Sequence, residues 1–265
     1  MVKRIALIVE YDGSAFFGWQ RQMGDISVQQ VLEEAVAVIA GHPVRVIAAG
    51  RTDTGVHALA QVVHFDTENE RPITAWVRGV NSHLPATIVV RCAQQVPDSF
   101  HARFDAVERQ YRYVLLSGSV RPALLSGKVG WTHYVLDVGL MQKAMNFLCG
   151  QHDYSSFRAS ECQAKSPVRT MYSAKLVQKN ELFIFEFTAD AFLYHMIRNI
   201  VGALVYVGSK KMTVEEFEQM VQARNRKYAP PTFMADGLYL TQVSYPEDCG
   251  FLASKQLPVW FWGTQ

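Results

Sequence analysis

Cysteine is scarce in this chain and is not arranged for chemistry. The four, Cys92, Cys149, Cys162 and Cys249, stand far apart and include no C-x-x-C pair. That spacing writes neither a zinc site nor a disulfide framework, so they read as reduced structural thiols. Long apolar runs are missing as well. No window approaches the ~18 uninterrupted apolar residues of a spanning helix, so a membrane is not expected as a partner. Charge of one sign is also absent: 26 Lys+Arg against 24 Asp+Glu leaves a formal net charge of +2. A protein that coats nucleic acid indiscriminately is thereby excluded, and any RNA binding has to come from local clustering of arginine and lysine. Met1-Val2-Lys3-Arg4 runs straight into the strand-like Ile5-Ala6-Leu7-Ile8-Val9-Glu10-Tyr11 with no small-residue cleavage site after it, which predicts a cytoplasmic protein.

What is present describes a globular chain of 265 residues, 49% hydrophobic and 19% charged. At the usual ~100–200 residues per domain this favours two domains. In the first half the pattern predicts a strand to Tyr11, then a helix from Ser27 as N-cap, with Val28, Val31, Leu32, Ala35 and Ile39 on one face and Gln30 at the capping-box position. Two strands around 44–48 and 60–65 follow, then a helix near 72–81 and a strand at 88–93. Strand, helix, strand, strand, helix, strand is the split β-α-β, ferredoxin-like order, with helices on one face of an antiparallel sheet. The second half predicts a strand over 108–116, a helix over 139–148, a hairpin of 171–177 and 182–188, a long helix over 191–207, a helix over 214–223 N-capped by Thr213, and a last strand over 238–243. The expected boundary lies near residue 106, giving two ferredoxin-like α/β domains, 1–106 and 107–265, as a pseudo-symmetric α+β pair with largely antiparallel sheets flanking a central cleft.

The chemistry-bearing residues concentrate in Ala48-Ala49-Gly50-Arg51-Thr52-Asp53-Thr54-Gly55-Val56-His57-Ala58, between the two strands of the first half. Gly50 and Gly55 bracket a single carboxylate, as a loop that must approach a ligand closely requires. Asp53 here is either an Asx-turn residue capping its own loop or a nucleophile or base, and Arg51 is placed to reach a nucleotide phosphate. Gln20, Arg21 and Gln22 follow the aromatic stretch Phe16-Phe17-Gly18-Trp19, a combination suited to unpaired bases and phosphate, although Phe16 and Phe17 read better as core residues.

In the second half, Arg109, Tyr111 and Tyr113 alternate along one strand and so share a face. A tyrosine ring can lie flat on a pyrimidine, which makes Tyr111 a candidate beside Asp53; packing into the core is the other reading. Arg198 interrupts the apolar side of the long helix, and an arginine in such a place needs a carboxylate or an anion-binding cleft; Asp53 is the expected partner. A neighbouring guanidinium favours an ionised carboxylate. Asp153-Tyr154-Ser155-Ser156-Phe157-Arg158-Ala159, with Lys165 and Arg169, forms a basic, hydroxyl-rich loop suited to phosphates, or simply a solvated one. His57 and His195 lack the accompanying serine or ligand spacing of a triad or metal site and read as structural or RNA-facing.

Gly50-Arg51-Thr52-Asp53-x-Gly55-Val56-His57-Ala58-x-x-Gln61 resembles the signature of the TruA family of pseudouridine synthases. The likeness extends along almost the whole chain, through Tyr11-Asp12-Gly13, Phe17-Gly18-Trp19-Gln20, Asn81 with Leu84-Pro85, Phe100-His101-Ala102-Arg103-Phe104, Tyr111-Arg112-Tyr113, Met196-Ile197-Arg198-Asn199 and Pro230-Pro231-Thr232-Phe233. The resemblance implies the pseudouridine synthase fold and a homodimer that isomerises uridines 38, 39 and 40 of the transfer RNA anticodon stem-loop without metal or organic cofactor. By the same resemblance Asp53 is the nucleophile, Tyr111 stacks on the target base and Arg198 pairs with Asp53. Thr54 stands where the family often has alanine, and the aromatic tail Gln256-Leu257-Pro258-Val259-Trp260-Phe261-Trp262 has no counterpart in this reading. A binding-only protein of the same fold would keep the arginines and aromatics without needing Asp53. A hydrolase using Asp53 as base is disfavoured because no second carboxylate or metal cluster accompanies it.

Overall fold

The computed structural model describes residues 2–251, which form two units: the chain up to Glu108 with the residues from Tyr239 onward, and Arg109–Leu238. The aromatic tail from Gln256 to Trp262 lies outside the described residues.

The first unit is built on β1 (Lys3–Tyr11), whose run of aliphatic residues is buried on both faces, as a central strand requires. It is flanked on one side by β3 (His57–Thr67) and on the other by β4 (Ile88–Val96), both antiparallel to it, and the short β2 (Ile47–Ala48) pairs antiparallel with β3. The spatial order β4-β1-β3-β2 is the split β-α-β pattern expected from the sequence. Helix α1 (Val28–Ala40) begins where Ser27 Oγ accepts the Gln30 N–H and ends at Gly41 in the left-handed region, φ 73°. The predicted helix near 72–81 forms over 73–81, but its centre, Ala75–Gly79, is a π-helical turn. It buries Trp76 edge-on against Phe65 at 5.2 Å and brings Gly79 so close to Ile39 that a Cβ would sit 2.9 Å from its Cδ1. The strand Leu238–Ser244 pairs in parallel with β3, Tyr239 opposite His57.

In the second unit β5 (Glu108–Ser117) has the short β6 (Gly130–Thr132) parallel to it. After α2 (Val138–Met145), the strands β7 (Gly150–Asp153), β8 (Val168–Lys179) and β9 (Leu182–Ala189) run antiparallel, β9 also lying antiparallel to β5. The hairpin turn places Asn180 at φ 54°, a conformation asparagine tolerates. Helix α3 (Met196–Gly208) starts five residues later than periodicity suggested, because Asp190 diverts the preceding chain: its Oδ1 accepts the N–H groups of Thr170 and Ala191, and its own N–H bonds to Thr170 O. Helix α4 (Val214–Ala223) carries a complete capping box between Thr213 and Glu216. The protein is thus a mixed α+β structure with mostly antiparallel strands. No helix among the described residues is long and apolar enough to cross a membrane.

One buried group makes the first unit sensitive to acid. His64 on β3 is 2% exposed and its Nδ1 accepts the Ala102 N–H at 3.1 Å. Burial first, then the nearby charges of Arg4 and His101, pull its pKa from 6.5 down to about 4. The unfolded chain takes up this proton near 6.5 and the folded chain only near 4, so the unfolded state binds more protons in between and stability is lost as pH falls through that window. Urea midpoints measured from pH 7 to pH 4 should fall, and His64→Gln, which retains an acceptor for Ala102, should show a shallower fall than wild type; equal slopes would remove His64 as the cause.

Candidate active site

Between β2 and β3 the chain is held at most of its residues. Ala49 N–H bonds to Val62 O, Gln61 Nε2 donates to Gly50 O at 2.7 Å, and Val56 N–H closes on Asp53 O at 3.1 Å. Thr52 is gripped twice, its carbonyl by the Trp19 N–H at 3.0 Å and its hydroxyl by the Tyr11 hydroxyl at 2.8 Å. Burial pushes the Tyr11 phenol up to about 12, so it stays neutral and acts as scaffold. Gly18, at φ 79°, lies against the loop so tightly that a Cβ would be 2.8 Å from Thr52 O and 3.1 Å from the Asp53 carbonyl carbon. Gly13 approaches the other end, where a Cβ would be 2.0 Å from Val56 O. The first N–H groups of α1 in turn bind the Gly18 and Trp19 carbonyls. Asp53 therefore stands half-buried on a loop clamped from both sides, with Arg51 exposed beside it. Preorganisation of this kind is what a reacting carboxylate needs.

Gln20 and Arg21 are exposed just past the clamp. Arg21 is partly engaged, its exposed guanidinium 3.4 Å from the buried Glu33 Oε2. Phe16 is buried as expected, whereas Phe17 is 52% exposed. His57 serves the scaffold: it stacks on Tyr239 at 4.5 Å, its Nδ1 accepts the Gly13 N–H, and Asp12 Oδ1 lies 3.2 Å away.

In the second unit Tyr111 and Tyr113 share one face of β5 but differ in use. Tyr113 is fully buried and its hydroxyl donates to Met234 O at 2.9 Å, a core role. Tyr111 is 8% exposed, with its ring edge-on to Phe192 at 5.1 Å. Arg109 donates to Asp190 O at 2.8 Å. Arg198 falls at the third position of α3, after His195 in the left-handed region (φ 60°). A cation in a helix's first turn opposes the macrodipole, and guanidinium and helix end together form an electropositive point suited to an anion. The side chain is aimed, since its Nε donates to Phe233 O at 2.9 Å while the Phe233 N–H returns to Arg198 O.

Arg158, Lys165 and Arg169 all belong to one surface region, but two of them hold their own loop: Arg158 donates to the carbonyls of Cys162 and Ala164, and Arg169 to those of Ser166 and Val168. Lys165 is exposed. Beside them a polar groove of about 400 Å³ is lined by residues including His152, Asp153 and Arg224.

Four residues that matter here carry no role in the sequence reading. Tyr11, Thr52 and Gln61 hold the Asp53 loop, and Asn199 ties the second unit together: its Nδ2 donates to Phe157 O, and its Oδ1 accepts from Arg226 and Thr232. Gly202 in mid-helix was a usable signal for that packing, because a Cβ there would lie 2.5 Å from Pro231 O. Among the described residues no group of three or more His, Cys, Asp or Glu is placed to hold a metal ion.

A family model described as "tRNA pseudouridine synthase" matches residues 7–105 and 144–246. A protein named "tRNA pseudouridine synthase A" from Neisseria meningitidis serogroup C (strain 053442) is 56% identical over 259 residues, 97% of this chain and 97% of its own. Another of that name, from Methylobacillus flagellatus, is 55% identical over 242 residues, 91% of this chain and 93% of its own. Among solved structures, "Crystal Structure of a Cbf5-Nop10-Gar1 Complex" is similar at 11% identity and a TM-score of 0.37, covering 91% of this chain and 59% of that chain, too distant to bear on the site. The protein is an isomerase, a pseudouridine synthase. The chain belongs to the tRNA pseudouridine synthase family.

The clamp makes a direct expectation. Gly18→Ala forces a left-handed alanine into contact with Thr52 O, which should cost about 1–3 kcal/mol of stability and displace Asp53, so that turnover falls further than the melting temperature alone would explain. Activity of the folded variant equal to wild type would show that the approach at Gly18 does not govern the carboxylate.

Proposed function

We propose that this protein converts uridine to pseudouridine in transfer RNA, at positions 38, 39 and 40 of the anticodon stem-loop, with Asp53 as nucleophile. The observation that carries the reading is the lone carboxylate of a glycine-bracketed, doubly clamped loop in a chain of this family. In the reaction the bond from ribose C1′ to uracil N1 breaks, the base turns, and C1′ joins C5; the C5 proton leaves to solvent and N1 gains one, so the product is an isomer. Asp53 adds to the base at C6 or to C1′ and is released when the new bond is complete. Arg198, oriented by Phe233 at the electropositive end of α3, supplies the counter-charge to Asp53. The stacked, paired uridine must be flipped out at a cost of a few kcal/mol, offset by stacking on Tyr111 and by phosphate contacts from Arg51, Gln20, Arg21, Arg109, Arg158, Lys165 and Arg169. The enzyme works in the cytoplasm as a homodimer that grips one transfer RNA across both subunits, and it uses no cofactor.

Tritium release from C5-labelled transfer RNA tests the nucleophile: Asp53→Asn should lower it by roughly three orders of magnitude or more while RNA binding persists, and retained release would leave only a binding protein. The electrostatic half of the reading has its own readout. Affinity for transfer RNA should fall with salt, and Arg51→Gln should flatten the log–log slope by about 0.7–0.9, one phosphate contact; an affinity indifferent to salt would contradict it.

A further inference from the structure

Outside the Asp53 loop, one aromatic ring of the first unit is held out into water by a segment with little freedom of its own. Phe104 is 74% exposed. Single exposed apolar residues are ordinary, so the exposure alone says little; what surrounds the ring says more.

The segment before it is pinned from several directions. Phe100 is buried against Tyr245 and Phe251, and its carbonyl accepts from Arg4 at 2.8 Å. The Ala102 N–H bonds to His64 Nδ1, and the Ala102 carbonyl accepts from the Tyr245 hydroxyl at 2.7 Å. Asp105 closes the turn on His101 through both its carboxylate and its own N–H. Inside that turn His101 Nδ1 accepts the N–H groups of Arg103 and Phe104, which fixes the imidazole in place. The Phe104 ring then lies on this imidazole, centroids 4.2 Å apart and planes 26° from parallel. The Arg103 guanidinium lies over the ring, its carbon 5.7 Å from the centroid.

A flat, largely exposed ring backed by a second ring on a rigid turn, with a guanidinium at cation–π distance over it, is an arrangement on which a nucleobase stacks once the mobile guanidinium swings to meet its phosphate. We propose that Phe104, supported by His101 and flanked by Arg103, is a stacking platform for an unpaired base of the bound RNA. This rests on the reading of the protein as an enzyme acting on transfer RNA, and it adds a contact that the Asp53 loop does not make. β3 begins at His57 beside that loop, and His64, which holds the platform's segment, lies seven residues further along it; at ~3.3 Å per residue of strand the separation is on the order of 20 Å. The base on Phe104 is therefore a different nucleotide from the one that reacts. The platform acts on capture of the RNA and not on the chemical step.

Steady-state kinetics and filter binding with transfer RNA separate the possibilities. Phe104→Ala should raise KM and Kd roughly ten-fold and leave kcat unchanged, since one base stack is removed. Phe104→Trp, which keeps a flat face, should stay near wild type, and Arg103→Gln should weaken binding and flatten its salt dependence. Leu124→Ala, an even more exposed apolar position elsewhere, serves as the control and should change neither constant. Unaltered KM and Kd in a folded Phe104→Ala would overturn the platform, as would sedimentation showing that the variant instead dissociates an oligomer, because the ring would then belong to an interface between copies. If wild type forms no pseudouridine yet Phe104→Ala still loses RNA affinity, the enzymatic reading fails and the platform stands.

Discussion

The approach of one backbone to another at Gly18 is the constraint on which the candidate site depends. A carboxylate on a surface loop samples many positions, and a reacting one cannot afford that freedom. Here the missing side chain at Gly18 lets the Trp19 N–H reach the Thr52 carbonyl, while Gln61 from β3 and Tyr11 from β1 hold the neighbouring residues from below. The Asp53 loop thereby inherits the rigidity of the sheet, because the groups that fix it are side chains of central strands buried among aliphatic neighbours. Tyr11 and Gln61 are polar groups inside a core, and such groups are retained where their hydrogen bonds specify a geometry.

The second unit follows a similar logic with different parts. Arg198 stands where the helix dipole disfavours a cation, and the surrounding structure compensates: Phe233 turns its Nε, and Asn199, fully buried next to it, gathers Phe157, Arg226 and Thr232. The strap through Pro230-Pro231-Thr232-Phe233 is thus fastened to the first turn of α3, and its close pass over Gly202 leaves no room for a Cβ. The basic loop around Arg158 and Arg169 differs in that its guanidinium groups are used in part to hold their own backbone. Positive charge there is fixed in position by the backbone it holds.

The 97–106 segment shows how a connector becomes a surface. Its carbonyls and N–H groups are met by His64, Arg4, Tyr245 and Asp105, so backbone groups that water would otherwise satisfy are satisfied internally. The imidazole pair of His64 and His101, 4.9 Å apart, joins the strand core to the exposed Phe104. The lowered His64 pKa and the presentation of the ring follow from the same packing.

Periodicity and capping determined most elements without help from the fold: Ser27 and Thr213 begin their helices and Gly41 ends one as local chemistry dictates, and runs of β-branched, aliphatic and aromatic residues marked β1, β8 and β9. The glycine-bracketed loop that carries Asp53 was legible because tight turns leave a local signature. Tertiary structure decided the rest. The late start of α3 depends on Asp190 bonding across to β8, and the π-turn at Ala75–Gly79 on the fit of Trp76 against Phe65. The parallel pairing of Tyr239 with His57 joins residues from opposite ends of the chain. Even the purpose of Gly18 emerges only when Thr52 is found beside it. Hydrophobic period and turn chemistry are properties of neighbours in sequence, whereas the distance between two backbones is set by everything packed around them.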